Sequence, residues 1–294
     1  MKKTIKNEFL ELTVDSLGAQ MISLKSYSGT EYIWTGDPAY WVGHAPNLFP
    51  YVGRLTNKSY TINGIVYHMD IHGFAWISEM DIALHENAKL VFRLRDNEST
   101  LEQYPFHFEY QVIYELHGTE LSITYTVLNN SNAIMPFGIG GHPGFCVPFD
   151  KESDFEDYFL EFKDCCQPER VSYSNDCFVE NKTEVFDLEG GKILRLNHKL
   201  FDNDAIVLKN MSREITLKAE DSGKAVTVTY PQMNYLGIWH MPKTEAPYVC
   251  IEPWTSQASR KNIVEDLYSQ SDLIHLRPGE TYQNEWKITI KGDM

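Results

Sequence analysis

Apolar side chains at every second position recur from one end of the chain to the other, and this pattern constrains the fold most. The clearest instance runs over residues 108–116, turns at His117-Gly118 and resumes over 121–127. A last instance covers residues 286–290. Side chains two positions apart lie on the same face of a β-strand. The pattern therefore predicts antiparallel strands with one apolar face each, arranged in sheets that pack face to face.

Turn signals support the same fold class. Asn63-Gly64 stands between two short apolar runs, which is a strong signal for a β-hairpin. Helical patterning is scarce, and we predict short helices only over residues 155–162 and 262–268. No long linker, low-complexity block or repeat divides the chain. We therefore predict an all-β fold: one domain over residues 1–294, a large antiparallel β-sandwich with few short helices.

The charge of the chain limits its partners. The formal net charge is −15 at neutral pH. A surface of this sign repels polyphosphates and anionic lipid headgroups. We therefore expect neither a nucleic-acid partner nor a membrane partner. A small phosphorylated substrate remains an alternative, provided that local Arg or Lys side chains overcome the negative electrostatic field of the whole chain.

The five cysteines indicate a reducing compartment. Their number is odd, Cys165 and Cys166 are adjacent, and none shows the spacing of a metal-binding pair. The charged first residues lack the apolar stretch of a signal peptide, and no apolar run reaches the roughly 18 residues of a membrane span. We therefore expect free thiols in a cytoplasmic protein.

Two histidines stand beside glycines and phenylalanines. His142 lies within residues 140–145, which read GGHPGF, and His72 directly precedes Gly73 and Phe74. Glycine permits tight turns and close approach, and proline fixes the local path of the chain. The main chain therefore holds each histidine, either as a satisfied core residue or as a positioned functional group. Two such sites in one chain favour the functional interpretation.

Candidate polar groups occur where predicted strands begin or end. Arg54 follows a glycine, and its forked donors suit hydroxyls or a carboxylate. Asp202 and Asp204 precede a β-branched run, where an Asx turn is the alternative. Glu252 ends an otherwise apolar strand and therefore needs a partner or a function. Trp254 offers a flat apolar surface of the kind that stacks on a sugar ring.

Other chemistries find less support. Zinc ligation lacks an H-E-x-x-H or comparable short spacing. A glycosidase could use Asp204 and Glu252, but that chemistry gives no reason for paired His-Gly loops. A serine or cysteine nucleophile lacks a recognisable motif such as the G-x-S-x-G elbow. The sequence signals neither a metal nor an organic cofactor, and we expect none.

Taken in order, four of these motifs resemble those of the aldose 1-epimerases of the galactose mutarotase-like superfamily, and in particular its bacterial LacX-like branch. The motifs are residues 50–54, 72–74, 141–143 and 251–254. A Pro-Gly-Glu turn at 278–280 extends the similarity over nearly the whole chain. The resemblance implies a large β-sandwich with a sugar-binding cleft on its concave face.

Carried over by motif, the resemblance implies a role for five residues. The catalytic base corresponds to Glu252 and the catalytic acid to His142. His72 and Arg54 match sugar-positioning residues, and a substrate-binding aspartate falls within residues 202–204, where we favour Asp204.

The substrate implied is an aldose hexose. Trp76 stands where an Arg is common in the phosphosugar branch of the family. This difference weighs against a hexose phosphate as the substrate but does not exclude it. The alternative from another class is a non-catalytic carbohydrate-binding or sugar-sensing protein on the same fold.

Overall fold

The computed structural model describes residues 1–150 and 153–292, and strands dominate it. The strands, in chain order, are β1 Lys2–Lys6, β2 Leu10–Asp15, β3 Gln20–Ser26, β4 Asn47–Leu48, β5 Ser59–Ile62, β6 Ile65–His68, β7 Asp81–His85, β8 Lys89–Arg95, β9 Phe108–His117, β10 Glu120–Asn129, β11 Met135–Phe137, β12 Gly140–Gly141, β13 Gly144–Cys146, β14 Tyr158–Phe162, β15 Glu169–Tyr173, β16 Val179–Val185, β17 Ile193–Arg195, β18 Ile206–Lys209, β19 Glu214–Ala219, β20 Ala225–Thr229, β21 Tyr235–Trp239, β22 Tyr248–Trp254, β23 Glu265–Asp266, β24 Ile274–Leu276 and β25 Thr281–Lys291. The helical segments are α1 Glu98–Gln103 and the 3₁₀ turns Thr56–Lys58, Ala75–Ile77, Phe155–Asp157 and His198–Phe201. Within these described ranges no helix is long and apolar enough to cross a bilayer.

Two large antiparallel sheets form the body of the fold. The nine-stranded sheet has the order β17-β14-β19-β20-β25-β10-β9-β8-β7. The eight-stranded sheet has the order β16-β15-β18-β21-β22-β12-β4, and β13 also pairs with β22. Smaller sheets β1-β2-β3, β11-β24 and β23-β5-β6 complete the described part of the chain. The predicted all-β sandwich is confirmed; that residues 1–294 form one domain stays a prediction.

The main core joins the inner faces of the two large sheets. Val112 and Ile123 of the nine-stranded sheet and Leu236 and Ile251 of the eight-stranded sheet belong to one continuous apolar cluster. All four side chains are fully buried. Removing such apolar surface from water is the main favourable contribution to folding.

The predicted hairpins formed and the predicted helices did not. β5 and β6 pair across Asn63-Gly64, and β9 pairs with β10 along its length. Residues 155–162 instead make a single 3₁₀ turn followed by β14, because Tyr158, Leu160 and Phe162 are buried at every second position and β14 pairs with β19. Both helix predictions are therefore wrong.

The second wrong helix shows how tertiary contacts override local pattern. Within residues 262–268 the chain forms only β23, which pairs in parallel with β5. Glu265 is buried and accepts hydrogen bonds from the guanidinium of Arg260. This charge-assisted contact fixes the segment in an extended path.

β22 has two different faces, and this difference places the site. Val249 and Ile251 point into the main core. By alternation Tyr248, Cys250 and Glu252 point to the opposite face, as the sequence predicts, and the first two pack in a separate small cluster there. The outer face of the eight-stranded sheet is therefore the face that carries the acid.

Candidate active site

A cleft of about 370 Å³ opens on this outer face. Six candidate residues from the sequence line it: Arg54, His72, His142, Asp204, Glu252 and Trp254. Residues separated by about 200 positions in the chain thus meet at one surface depression. Concave sites with a few convergent polar groups are the usual form of small-molecule sites.

Glu252 forms part of the floor of the cleft. It lies in β22, opposite Gly237 of the neighbouring β21. Its side chain is only 2% exposed although it carries a carboxyl group. Gly237 has no side chain to cover it, so the carboxyl group can face the cleft. A buried carboxyl group needs a polar partner, because leaving it unpaired costs several kcal/mol.

His142 supplies that partner. It lies between the short strands β12 and β13, and both of these pair along the same edge of β22. Its backbone N–H donates to the Pro46 carbonyl at 2.9 Å. The result is a distance of 3.2 Å between His142 Nε2 and Glu252 Oε2. The acid and imidazole predicted from separate motifs are therefore in direct contact.

Aromatic rings hold the imidazole of His142. Trp41 stacks on it with a centroid distance of 5.0 Å and an interplanar angle of 29°. Trp239 and His72 each meet it edge-on at 5.7 Å. Its Nδ1 is buried and has no hydrogen-bond partner among the described residues. Ring packing, and not a hydrogen bond at Nδ1, therefore orients the side chain.

Burial favours the neutral forms of both partners. It raises the pKa of Glu252 well above its ordinary value, and the nearby carboxylate of Asp204 acts in the same direction. Burial lowers the pKa of His142 to about 4. Between the pKa of His142 and that of Glu252 the pair consequently holds one transferable proton. In the free site this proton resides on the carboxyl group.

His72 is a neutral donor. Its Nδ1 accepts a hydrogen bond from the Gly53 N–H at 3.1 Å, so that its proton lies on Nε2. Burial lowers the pKa of His72 well below its ordinary value, with His142 and Arg54 contributing. Its backbone has a φ of 65°, in the left-handed region that few non-glycine residues occupy.

Gly73 permits this local geometry. It also has a positive φ, and a Cβ there would lie 2.4 Å from the Phe49 carbonyl oxygen. Only glycine therefore fits at this position. The sequence signal of His followed by Gly reflects a strained turn that places the imidazole at the cleft.

The rim of the cleft consists of loop residues. Asp204 has a φ of 71°, its Oδ1 accepts from the Ala205 N–H, and its Oδ2 lies 3.2 Å from the Cys177 Sγ. Asp202 is exposed and lies outside the cleft lining, so that the geometry selects Asp204 of the two. Arg54 is exposed and forms no salt bridge with a described carboxylate. No described carboxylate therefore neutralises its guanidinium through an ion pair.

Trp254 forms a wall of the cleft. It is 6% exposed and packs with Leu48 and Val207 in a small apolar cluster. A Cβ on Gly140 or Gly237 would come within 2.8 Å of its indole ring. The two glycines thus make room for the ring against the sheet.

Sequence reasoning missed Trp41 and Trp239, which line the cleft and pack on His142. Alternation in β21 puts Trp239 on the same face as Gly237, which was a usable signal. Trp41 lies in a loop, and nothing in its neighbours indicated the contact. Trp76 also lines the cleft and donates through Nε1 to the carbonyls of Ile71 and Gly73.

One cluster at the floor also has the composition of a metal site. The ligand atoms of His142, Cys250 and Glu252 all lie within 4.8 Å of one another. Nitrogen, thiolate and carboxylate donors are a combination that zinc accepts.

Comparison with known proteins identifies the family. The aldose 1-epimerase family model matches residues 1–289. Protein LacX (plasmid) of Lactococcus lactis subsp. lactis is 31% identical over 302 residues, covering 97% of this chain and 98% of LacX. This chain therefore belongs to the aldose 1-epimerase family, and the resemblance read from the motifs is confirmed.

Solved structures agree with this assignment. A galactose mutarotase related enzyme from Lactobacillus acidophilus is 33% identical, with a TM-score of 0.95 over 100% of this chain and 98% of that chain. A galactose mutarotase-like protein from Lactobacillus casei is 28% identical, with a TM-score of 0.94 over 99% of this chain and 100% of that chain. The fold is therefore galactose mutarotase-like.

Proposed function

We propose that this protein is an aldose 1-epimerase that interconverts the α and β anomers of a hexose by acid–base opening and closure of the ring. The contact of 3.2 Å between His142 Nε2 and Glu252 Oε2 at the floor of the cleft carries the proposal. It supplies one proton acceptor and one proton donor within reach of a single anomeric centre. Geometry of this kind is the first requirement of general acid–base catalysis.

The proton balance of the reaction suits a pair that holds one proton. Glu252 takes the proton of the C1 hydroxyl while His142 gives its proton to the ring oxygen. The bond between C1 and the ring oxygen breaks, and C1 becomes an aldehyde carbonyl. After rotation about the C1–C2 bond, the same transfers in reverse close the ring on the other face. No net proton enters or leaves.

Burial favours the neutral proton arrangement of the pair over the ionic one. Ring opening starts from ionised Glu252 and protonated His142 and ends with both neutral. The raised pKa of Glu252 and the lowered pKa of His142 favour the neutral arrangement. Passing the proton across the short contact produces the ionic arrangement that begins the reaction. The buried site therefore stabilises the proton arrangement that accompanies the open-chain sugar.

The remaining cleft residues suit the hydroxyls and the apolar face of a sugar. The Nε2–H of His72 and the guanidinium of Arg54 can donate, and the carboxylate of Asp204 can accept. Trp254 offers a flat wall for the ring.

We propose an unphosphorylated substrate. Arg54 is the one Lys or Arg among the described residues that line the cleft, and Asp204 and Glu252 belong to the same lining. The carboxylate of Asp204 in this lining repels a negatively charged phosphate group. We also propose a cytoplasmic location, which the five free cysteines support.

Polarimetry or proton NMR of freshly dissolved α-glucose and α-galactose tests the activity directly. We expect the protein to accelerate the approach to anomeric equilibrium, and Glu252→Gln to abolish most of the acceleration. Binding alone does not distinguish an enzyme from a sugar-sensing protein, since both bind. Sugar binding without acceleration, across a panel of free and phosphorylated aldoses, contradicts the epimerase and supports the binding protein.

A further inference from the structure

Cys250 lies directly beneath the acid–base pair, and the proposed reaction does not use it. It is fully buried, and it shares a face of β22 with Glu252 two positions further on. Its Sγ, the Nε2 or Nδ1 of His142 and a carboxyl oxygen of Glu252 all lie within 4.8 Å of one another. Three different donor types therefore converge at the floor of the cleft.

This donor set selects soft and borderline cations. Hard cations such as Mg²⁺ and Ca²⁺ prefer oxygen ligands alone, whereas thiolate and imidazole suit zinc. Zinc–ligand bonds of about 2.0–2.3 Å in a tetrahedron place the ligand atoms roughly 3.4–3.6 Å apart. The separation of 3.2 Å between His142 and Glu252 is already close to this value. The other ligand separations are at most 4.8 Å, so that zinc ligation requires shifts of about 1 Å at most.

We infer that His142, Cys250 and Glu252 form a three-ligand site for Zn²⁺ or a similar thiophilic cation, and that the bound cation inhibits the enzyme. The fourth ligand position faces the cleft, because His142 and Glu252 line it. A cation there occupies the imidazole and the carboxylate that transfer protons. The binding stands on the geometry alone, whereas the inhibition rests on the proposed epimerase function.

Binding must release at least the proton of the Cys250 thiol, because a cysteine binds the cation as a thiolate. One proton released per cation makes the affinity rise by up to about tenfold per pH unit. This proton release is a signature that a surface carboxylate site does not give.

Titration with Co²⁺ tests the binding without an activity assay. We expect one Co²⁺ per chain, a thiolate-to-cobalt charge-transfer band, and displacement of Co²⁺ by Zn²⁺. Cys250→Ser, which preserves the volume of the side chain, should abolish the band and weaken binding by at least about a hundredfold. Cys165→Ser is the matched control: Cys165 is exposed and outside the cluster, so that the band should persist.

Circular dichroism is the control for the folding of the Cys250→Ser variant. If that variant does not fold, the test is repeated with Cys250→Ala. Absence of a charge-transfer band in the native chain, or its persistence in the folded Cys250 variants, overturns the site. A band that appears while Zn²⁺ leaves sugar anomerisation unchanged overturns the inhibition. A band in a protein that accelerates no aldose refutes the proposed function and keeps the metal site.

Discussion

In two places the structure brings a histidine to nearly the same distance from a second ionisable side chain, and the two pairs differ in what surrounds them. His142 Nε2 lies 3.2 Å from a carboxyl oxygen of Glu252 and faces the cleft. His198 Nδ1 lies 3.1 Å from His240 Nε2, and neither histidine belongs to the described cleft lining. Burial lowers the pKa to about 4 in both His142 and His240. A perturbed histidine is therefore not by itself a sign of function.

The partners of the second pair explain the difference. His240 Nδ1 donates to the Met241 carbonyl, so that its Nε2 accepts the proton of His198. Phe155 stacks on His198, and Phe201 packs on His240. Every polar atom of His240 is satisfied and its ring is sealed by apolar neighbours. The first pair instead keeps a carboxyl group, a mobile proton and access from solvent.

The strongest test of this contrast removes the proton-transferring groups of the first pair. Glu252→Gln and His142→Asn preserve shape but cannot hold the proton, and we expect each to lower the rate by about 10²–10⁴-fold. Polarimetry measures the rate, and circular dichroism serves as the control for folding. A folded variant with full activity contradicts the assignment.

The pH profile of kcat/KM is the next test. Below about pH 4 the imidazole of His142 takes up a second proton, so that the pair has no base left for the C1 hydroxyl. The value of kcat/KM should therefore fall about tenfold per pH unit. The raised pKa of Glu252 places loss of the catalytic proton, and the alkaline limb, above the usual carboxyl range. An acid limb near the ordinary histidine value of about 6.5 contradicts the burial effect.

Arg54→Lys probes the rim with the charge preserved. Lysine lacks the forked donors, and losing one charged hydrogen bond to the sugar should raise KM by about tenfold with kcat nearly unchanged. Steady-state kinetics on the preferred aldose measure both constants. A fall in kcat with KM unchanged places Arg54 in the chemical step instead.

The sequence predicted the members of the first pair but not their contact. Glu252 and His142 stood out because a carboxyl group ended an apolar strand and an imidazole lay in a Gly-Pro loop. The pairing of β12 and β13 along one edge of β22 depends on long-range hydrogen bonds, which local alternation does not encode. Their proton state was also unpredictable, because burial reverses the ionisation expected from ordinary pKa values.

Trp41 tests the ring packing that sequence reasoning missed. Trp41→Ala removes the stacking on His142 and admits water, so we expect a three- to tenfold lower rate, corresponding to about 0.5–1.5 kcal/mol. The acid limb should also move to higher pH, whereas Trp41→Phe should restore both. Equal losses in Ala and Phe variants, with no shift of the acid limb, contradict a positioning role.

The smallest effect on activity is expected at the second pair. His198→Ala leaves the buried Nε2 of His240 without its donor, which should lower the free energy of unfolding by about 1–3 kcal/mol. Denaturant unfolding measures that loss, while anomerisation at 25 °C should stay within about twofold, since the pair lies outside the cleft lining. A tenfold loss of rate in the folded variant contradicts the separation between the pairs.

The two faces of β22 restrict how this family can vary in length. Tyr248, Cys250 and Glu252 reach the cleft side only because they stand two positions apart on a strand paired along both edges. Inserting or deleting one residue within it would turn the side chains on one side of the change toward the apolar interior. The loops that carry Arg54 and Asp204 meet no such restriction. Length changes that alter sugar choice should therefore accumulate in the loops, while the segment that carries the acid keeps its length.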